Sequence, residues 1–498
     1  MELKEFLKLA RKGTIVPVYR ELSADTLTPV TAFLRVRRRR EPGFLLESVE
    51  GGERVGRYSF IGRRPFQRLH ATGSEVFLEK EGKQVPEDGG FFKALERSVQ
   101  AFKPVVVPGL PPLTAGAVGY VGYDAVRLIE RLPDRHPRET TLPDADFYFY
   151  DTLVAFDHAK HRVCLIANVR LGAEAAKKSE LEAAYEDAQD RLDELEHDLE
   201  RPVPREEIPQ RLRALSSATV MDGMKSNFTR KGFEAAVGRA REYIAAGDAF
   251  QIVLSQCFER EIKVDPLDVY RALRVLNPSP YLFYLEWKDA ALFGSSPETM
   301  VRVQDRTVMV RPIAGTRRRG GSEEEDARLE RELIADEKEL AEHRMLVDLG
   351  RNDIGRVAQF GTVRVPRLEV IEKYSHVMHI VSEVEGKLRD GLSAVDAFCA
   401  CFPAGTVSGA PKIRAMEIID ELEPTRRGTY AGAVGYLDFA GNLDTCIAIR
   451  TLLLHGGKAY LQAGAGLVAD SVPDREYFET IQKASALYDA IRLAELGT

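Results

Sequence analysis

The chain has 498 residues, 70 basic and 77 acidic side chains and a net charge of −7, so it offers no global basic field for nucleic acid or an anionic membrane. At about 150 residues per domain this is length for two or three domains, or for one large sheet-based core. No run is apolar enough to span a bilayer, and Met1 to Ala10 has an amphipathic helical pattern rather than that of a secretory signal, which points to a cytoplasmic protein with neither membrane nor nucleic-acid partner.

Residues 15 to 170 read as a mixed α and β unit. Arg37 to Arg40 looks like a solvated loop; Phe44 to Ser48 and Tyr58 to Ile61 look like strands around a Gly51-Gly52 turn. A helix is expected over Phe91 to Phe102. A hairpin of Phe147 to Phe156 with Val163 to Val169 is expected to turn at Asp157 to His161. From Ala173 to Glu200 the sequence is charged and alanine-rich, with Leu181, Tyr185, Ala188, Leu192, Leu195 and Leu199 four and three apart. That spacing makes one amphipathic helix packed on its own domain. It closes an N-terminal region, 1–201, and the proline-bearing polar stretch 202–226 is the linker to a second region, 227–498.

In the second region Thr229 caps a helix ending at Gly247, and the alternation after it puts Gln251, Val253 and Ser255 on one strand face. Ser322 to Glu325 has the capping-box pattern and opens a long helix to about Leu349 that holds Glu339, Glu342 and His343. A strand from Leu443 to Leu453 is expected to align Asp444, Cys446, Ala448 and Arg450 on one side. Ala115 to Tyr120 recurs letter for letter as Ala431 to Tyr436, but the flanks differ, so these are two glycine-rich strands and not a duplicated module. Helices and hairpin-forming strands interleave throughout, which fits an α+β architecture with large antiparallel sheets. The five cysteines are scattered, without zinc or Cys-x-x-Cys spacing, and are expected to be reduced and mostly buried.

The tail carries the strongest local chemistry. Gln462 to Gly466 sets glycines where main-chain groups can approach a ligand, and Asp470 to Pro473 leads into a helix with Glu476 and Glu479 on one face. Such a turn could cradle a small carboxylate with Mg²⁺, which takes oxygen ligands and keeps several waters. It could equally be a glycine-rich strand end beside a solvated helix face.

Phe250 to Ser255, Phe293 to Glu298, Arg311 to Arg317, Asp336 to Asp353, Tyr374 to His379, Gly405 to Lys412, Leu443 to Cys446 and this tail fall in order over residues 227 to 485. Together they resemble the chorismate-utilising enzymes, most closely the anthranilate synthase component I group. The resemblance implies antiparallel sheets in a sandwich flanked by helices. It also implies a lyase that converts chorismate and ammonia to anthranilate and pyruvate, the first step of tryptophan biosynthesis.

Family members that add water have a lysine base where this chain has Gln251, and those that make aminodeoxychorismate have a lysine nucleophile where it has Ala314. By the same resemblance Mg²⁺ is held by Glu342 and Glu479, with Glu339 and Glu476 as neighbouring carboxylates. Chorismate meets Arg450, Tyr430, Gly315, Thr316, Gly464, Ala465 and Gly466. Glu298 is the acid, His379 takes the ring proton and Thr406 lines the pocket. Glu47, Ser48, Pro280, Tyr281 and Leu282 resemble the tryptophan site of feedback inhibition. No stretch remains for a glutaminase, so a separate glutamine amidotransferase subunit, component II, is expected, in an assembly of two chains of each kind. The alternatives are an aminodeoxychorismate synthase component I, disfavoured by Ala314, and a non-catalytic chorismate or tryptophan sensor, disfavoured by the intact Glu298, Glu342, His379, Arg450 and Glu479.

Overall fold

The computed structural model describes residues 1–48, 56–138, 140–172, 177–203, 221–374 and 377–497. The expected Gly51-Gly52 turn and most of the linker lie outside them. Among the described residues no helix is long and apolar enough to cross a membrane.

Two 12-stranded antiparallel sheets form the frame. The first runs from Ile15–Ser23 at one edge through Gly43–Glu47, Tyr281–Glu286 and Ala290–Ser296 to Thr451–His455, Lys458–Leu467 and Gln251–Glu261. The second runs from Ile313–Arg318 and Val377–Lys387 through Thr299–Gln304, Leu443–Ile447, Ala433–Asp438 and Gly116–Val121 to Lys83–Pro86. Both sheets take strands from both sides of residue 227, so the N-terminal and C-terminal regions share their sheets.

A cluster with Phe44, Phe60, Tyr120, Tyr150, Phe283, Trp287 and Tyr436 draws on strands of both sheets and fills the space between them. The outer face of the first sheet is covered by the N-terminal helices, Lys178–Glu200, Pro266–Leu276 and Pro473–Gly497. That of the second is covered by Phe91–Gln100, Glu337–Gly355 and Ala394–Cys401. The result is the expected sandwich with helices outside. Lys178–Glu200 packs on its own sheet through Ala188, Leu192, Leu195 and Leu199, as its spacing requires. The echoed glycine segments lie side by side as antiparallel neighbours, with Gly119 opposite Gly435.

Several expectations change. Phe147–Phe156 is not one strand: Ala145–Tyr150 belongs to the second sheet and Thr152–Asp157 to the first, the chain stepping across at Asp151. Leu443–Leu453 likewise splits into Leu443–Ile447 and Thr451–His455, on different sheets, with Arg450 between them at φ +50°. Hydrophobic alternation alone cannot reveal such a step, because both halves are buried.

The capped helix opened by Ser322 ends at Ile334, and Asp336 caps a second helix, Glu337–Gly355, by accepting from the Lys338 and Glu339 amides. Nor is the arginine run wholly solvated. Arg37 is buried against Glu286 (2.6 Å) and Asp265 (3.1 Å), and Arg38 meets Asp198 (3.0 Å), while Arg39 and Arg40 stay exposed.

Candidate active site

The chain leaves the first sheet at Ser296, passes Pro297 and Glu298, and enters the second at Thr299. That step withdraws the Glu298 side chain from both ladders and buries it. Its carboxyl accepts from the Thr406 hydroxyl (2.7 Å), on the short turn Gly405–Val407. Burial pushes it up to about 8, although the Thr406 hydroxyl and the Ile313 amide both favour the charged form. It is therefore an acid at neutral pH.

His379, on Val377–Lys387, turns Nδ1 to the Gly315 carbonyl (3.0 Å) and the Thr316 hydroxyl (3.1 Å). A carbonyl only accepts, so Nδ1 carries the ring proton and Nε2 keeps its lone pair. Burial lowers the imidazole pKa against the bond to Gly315, with nearby Arg450 adding to the lowering, so the ring is neutral and its Nε2 lone pair is free to take a proton. Gly315 has φ +64° and sits where the register of Ile313–Arg318 shifts against its neighbour. This irregularity brings the Gly315 carbonyl and the Thr316 hydroxyl to the same imidazole nitrogen.

Arg450 is the second group placed by a sheet crossing. Among the described residues no carboxylate acts on its guanidinium, and burial lowers its pKa. Tyr430 lies close enough to favour its charge, and its hydroxyl comes within 2.8 Å of where a β-carbon on Gly464 would stand. A β-carbon on Gly466 would similarly press on the Gln251 amide at 2.9 Å.

The glycines sit on the strand Lys458–Leu467, opposite Ser255 and Val253, and not in a turn. Their role is to clear space above a strand face, while Ala465 turns inward to the helix-covered core. Pairing with Thr451–His455 ends at Leu461, and beyond it the Gly464 carbonyl accepts from Lys483 (2.9 Å).

Four glutamates flank this face. Glu342 receives the Gln251 amide (3.1 Å); burial and then Glu339 raise its pKa. Glu339 is shared with Arg317 (3.2 Å), and Glu479 with Lys483 (2.7 Å). Glu476 is raised by burial and by Glu479, against the Ser471 hydroxyl. Lys338 and Lys483 ease the charge of both Glu342 and Glu476, which places the two helices' carboxylates in one electrostatic neighbourhood. Among the described residues no three such groups form a ready metal cluster. Half-buried carboxylates raised by one another still suit a hard cation that completes its shell with substrate oxygen and water.

A second cavity, of about 1200 Å³, opens between the sheets around Ser48, Tyr281, Leu282 and Tyr436 and extends to Glu372 and Tyr374. Ser48 donates to the Pro280 carbonyl (2.7 Å), and Tyr281 reaches Thr299 and Asp444 (3.0 Å each). The Glu47 carboxylate is already held by Tyr270 (2.6 Å) and Arg274 (3.1 Å). At the far end Tyr374 lies 5.7 Å, ring to ring, from His379.

Lys483 was not singled out from sequence. Its signal was its place four residues after Glu479 on the helix, the spacing of a same-face ion pair.

A glutamic acid kept protonated, a neutral histidine, an arginine without a carboxylate partner among the described residues and four glutamates flanking one glycine-cleared face define a site for an anionic substrate. The sequence profile of the chorismate binding enzymes matches residues 41–489, and the chain belongs to that family. Within it, the chain is 46% identical to anthranilate synthase component 1 of Acetivibrio thermocellus, over 99% of this chain and 98% of that one. The crystal structure of anthranilate synthase component I from Streptococcus pneumoniae TIGR4 superposes with a TM-score of 0.76 at 37% identity, covering 94% of this chain and 99% of that one. The menaquinone-specific isochorismate synthase of Escherichia coli shares the fold at a TM-score of 0.70 and 19% identity, covering 98% of each chain.

Proposed function

We propose that this chain is the aminating component of an anthranilate synthase, converting chorismate and ammonia to anthranilate, pyruvate and water. The observation that carries the reading is Glu298, a carboxyl held protonated at neutral pH in a site also lined by His379 and Arg450. Displacing the ring 4-hydroxyl needs a proton, because hydroxide leaves poorly, and Glu298 supplies it so that water departs. Ammonia adds at ring carbon 2 and needs no strong base, in keeping with Gln251, which cannot deprotonate water. The Nε2 of His379 then takes the proton from carbon 2 as pyruvate leaves and the ring becomes aromatic. Arg450 grips the enolpyruvyl carboxylate with a planar fork, and Tyr430 orients that arm.

Glu342 and Glu479 would hold Mg²⁺, with Glu339 and Glu476 beside them. Bound there, the metal would neutralise the substrate's ring carboxylate and draw electron density out of the ring. Glu479→Gln should raise the Mg²⁺ concentration for half-maximal rate at least about tenfold, since replacing even an outer partner costs 10–100-fold. A titration curve that does not move would remove Glu479 from the metal site.

Ammonia would come from glutamine through a separate amidotransferase subunit, and tryptophan would inhibit from the cavity around Ser48. Ser48→Phe intrudes on the Ser48 end of that cavity and breaks the bond to Pro280, so tryptophan should lose at least about tenfold in inhibitory potency at unchanged activity, the cost of a buried side-chain clash. Full inhibition in that variant would place the effector elsewhere.

The test of the whole reading is to incubate the chain with chorismate, Mg²⁺ and an ammonium salt and follow anthranilate fluorescence. A 4-amino product would identify an aminodeoxychorismate synthase, and silence from folded protein a sensor.

A further inference from the structure

Just past the helix Lys412–Leu422 lies an ion pair with almost no access to solvent, Glu423 and Arg427, whose side chains are 3% and 1% exposed. Arg427 donates twice to Glu423 (2.6 and 2.9 Å), once to the Val407 carbonyl (2.6 Å) and once to the Val253 carbonyl (2.7 Å). Glu423 in turn accepts from the Ser255 amide (2.8 Å) and hydroxyl (2.7 Å), and that hydroxyl accepts from Gln462 (2.8 Å). The guanidinium also lies 5.7 Å from the centre of the Tyr430 ring.

Each of these contacts ends on a wall of the active site. Val407 follows Thr406, the residue that donates to Glu298. Val253 and Ser255 lie on the strand that presents Gln251, and Gln462 on the strand of Gly464 and Gly466. Arg427 and Glu423 are only four residues apart, but the pair joins three further segments to their own: the Thr406 turn through Val407, the Gln251 strand through Val253 and Ser255, and, through the Ser255 hydroxyl, the strand that carries Gln462. A buried pair of this kind is a poor source of stability, because desolvation offsets its attraction. What it supplies is geometry: a planar fork fixes two carbonyls and a carboxylate at once.

We propose that Arg427 and Glu423 are positioning residues for the reaction, a buried clamp that holds the Thr406 turn against the Gln251 strand and so keeps the Thr406 hydroxyl on the Glu298 carboxyl. The clamp touches no substrate and acts through Thr406. It rests on the assignment of Glu298 as the acid.

The test measures kcat and KM across pH with chorismate, saturating Mg²⁺ and fixed free ammonia, for the parent, Arg427→Lys, Thr406→Val and the double variant. Lysine keeps the charge but cannot bridge both carbonyls and the carboxylate. Arg427→Lys should lower kcat about 100-fold, the usual effect of displacing a catalytic group by about 1 Å, while KM for chorismate changes little. Its alkaline limb should move to higher pH, as in Thr406→Val, because each change takes a hydrogen bond from the ionised form of Glu298. The double variant should shift no further than Thr406→Val alone.

A folded Arg427→Lys with the parent's alkaline limb, or shifts that add, would overturn the proposal. If the lysine variant does not fold, Glu423→Gln, which keeps an acceptor for Ser255 but releases the guanidinium, carries the same readout. Failure of both to fold would overturn it too, leaving the pair a folding element. A limb that survives in Glu298→Gln would instead overturn the acid assignment, and the clamp with it.

Discussion

Glu298→Gln should lower kcat by about 10³-fold while leaving chorismate affinity within a few-fold, the loss expected when a positioned general acid is removed. Glutamine keeps the shape of the side chain and still accepts from Thr406, so the fold around the sheet crossing is retained; only the transferable proton is gone. The pH dependence follows from the same group. Burial raises its pKa to about 8, so the protonated, active form dominates at neutral pH and is lost as pH rises through that value. On the acid side, His379 is lowered by burial and by Arg450, so its neutral form persists below the ordinary histidine pKa and fails only as pH falls further. The profile of kcat/KM at fixed free ammonia should be a bell with its alkaline limb near 8, and Glu298→Gln should lose that limb. A variant that keeps both the rate and the limb would remove Glu298 from proton transfer.

The residues of this candidate site were named through the family motifs in which they sit, and periodicity placed Gln251 on its strand and Glu342, Glu476 and Glu479 on their helices. Thr229 caps its helix as its position suggests, accepting from the Gly232 amide. What the sequence could not reveal is where a buried strand changes sheets. Phe147–Phe156 and Leu443–Leu453 each read as one apolar run, yet each is cut by a crossing, at Asp151 and at Ala448–Arg450. The step at Pro297–Glu298 is of the same kind, so two of the principal groups, Glu298 and Arg450, project where ladder pairing is interrupted. Local pattern is blind to this because both sides of the step are equally buried.

Long-range ion pairs were invisible for a related reason: the partners of Arg37 are Asp265 and Glu286, more than 200 positions away, so a lone basic run could not be told from a solvated one. The helix break at Ala335 is a different case. Asp336 is a good cap, but the charged residues on both sides of it carry a continuous helical pattern, and tertiary packing against Ile313–Arg318 and Val377–Lys387 decides where the helix restarts.

Arg450 is the residue whose removal should most damage substrate binding. A half-buried guanidinium without a carboxylate partner among the described residues is an unfavourable arrangement, and burial lowers its pKa. The backbone adds strain, since a non-glycine residue at φ +50° is uncommon. Such features persist where a ligand repays them.

Arg450→Gln should therefore raise KM for chorismate by about 10²–10³-fold, the loss of two charge-assisted hydrogen bonds at roughly 1.5–3 kcal/mol each less the solvation recovered. Arg450→Lys should recover only part of it, because a point charge does not match two carboxylate oxygens. Thermal stability of the ligand-free Arg450→Gln protein should equal or exceed that of the parent, as a poorly paired charge has been taken out of the interior. The two measurements separate the roles. A KM that stays within a few-fold of the parent would show that the enolpyruvyl carboxylate is held elsewhere, whereas a marked fall in melting temperature would make Arg450 a structural residue of the crossing and not the anion-binding group of the site.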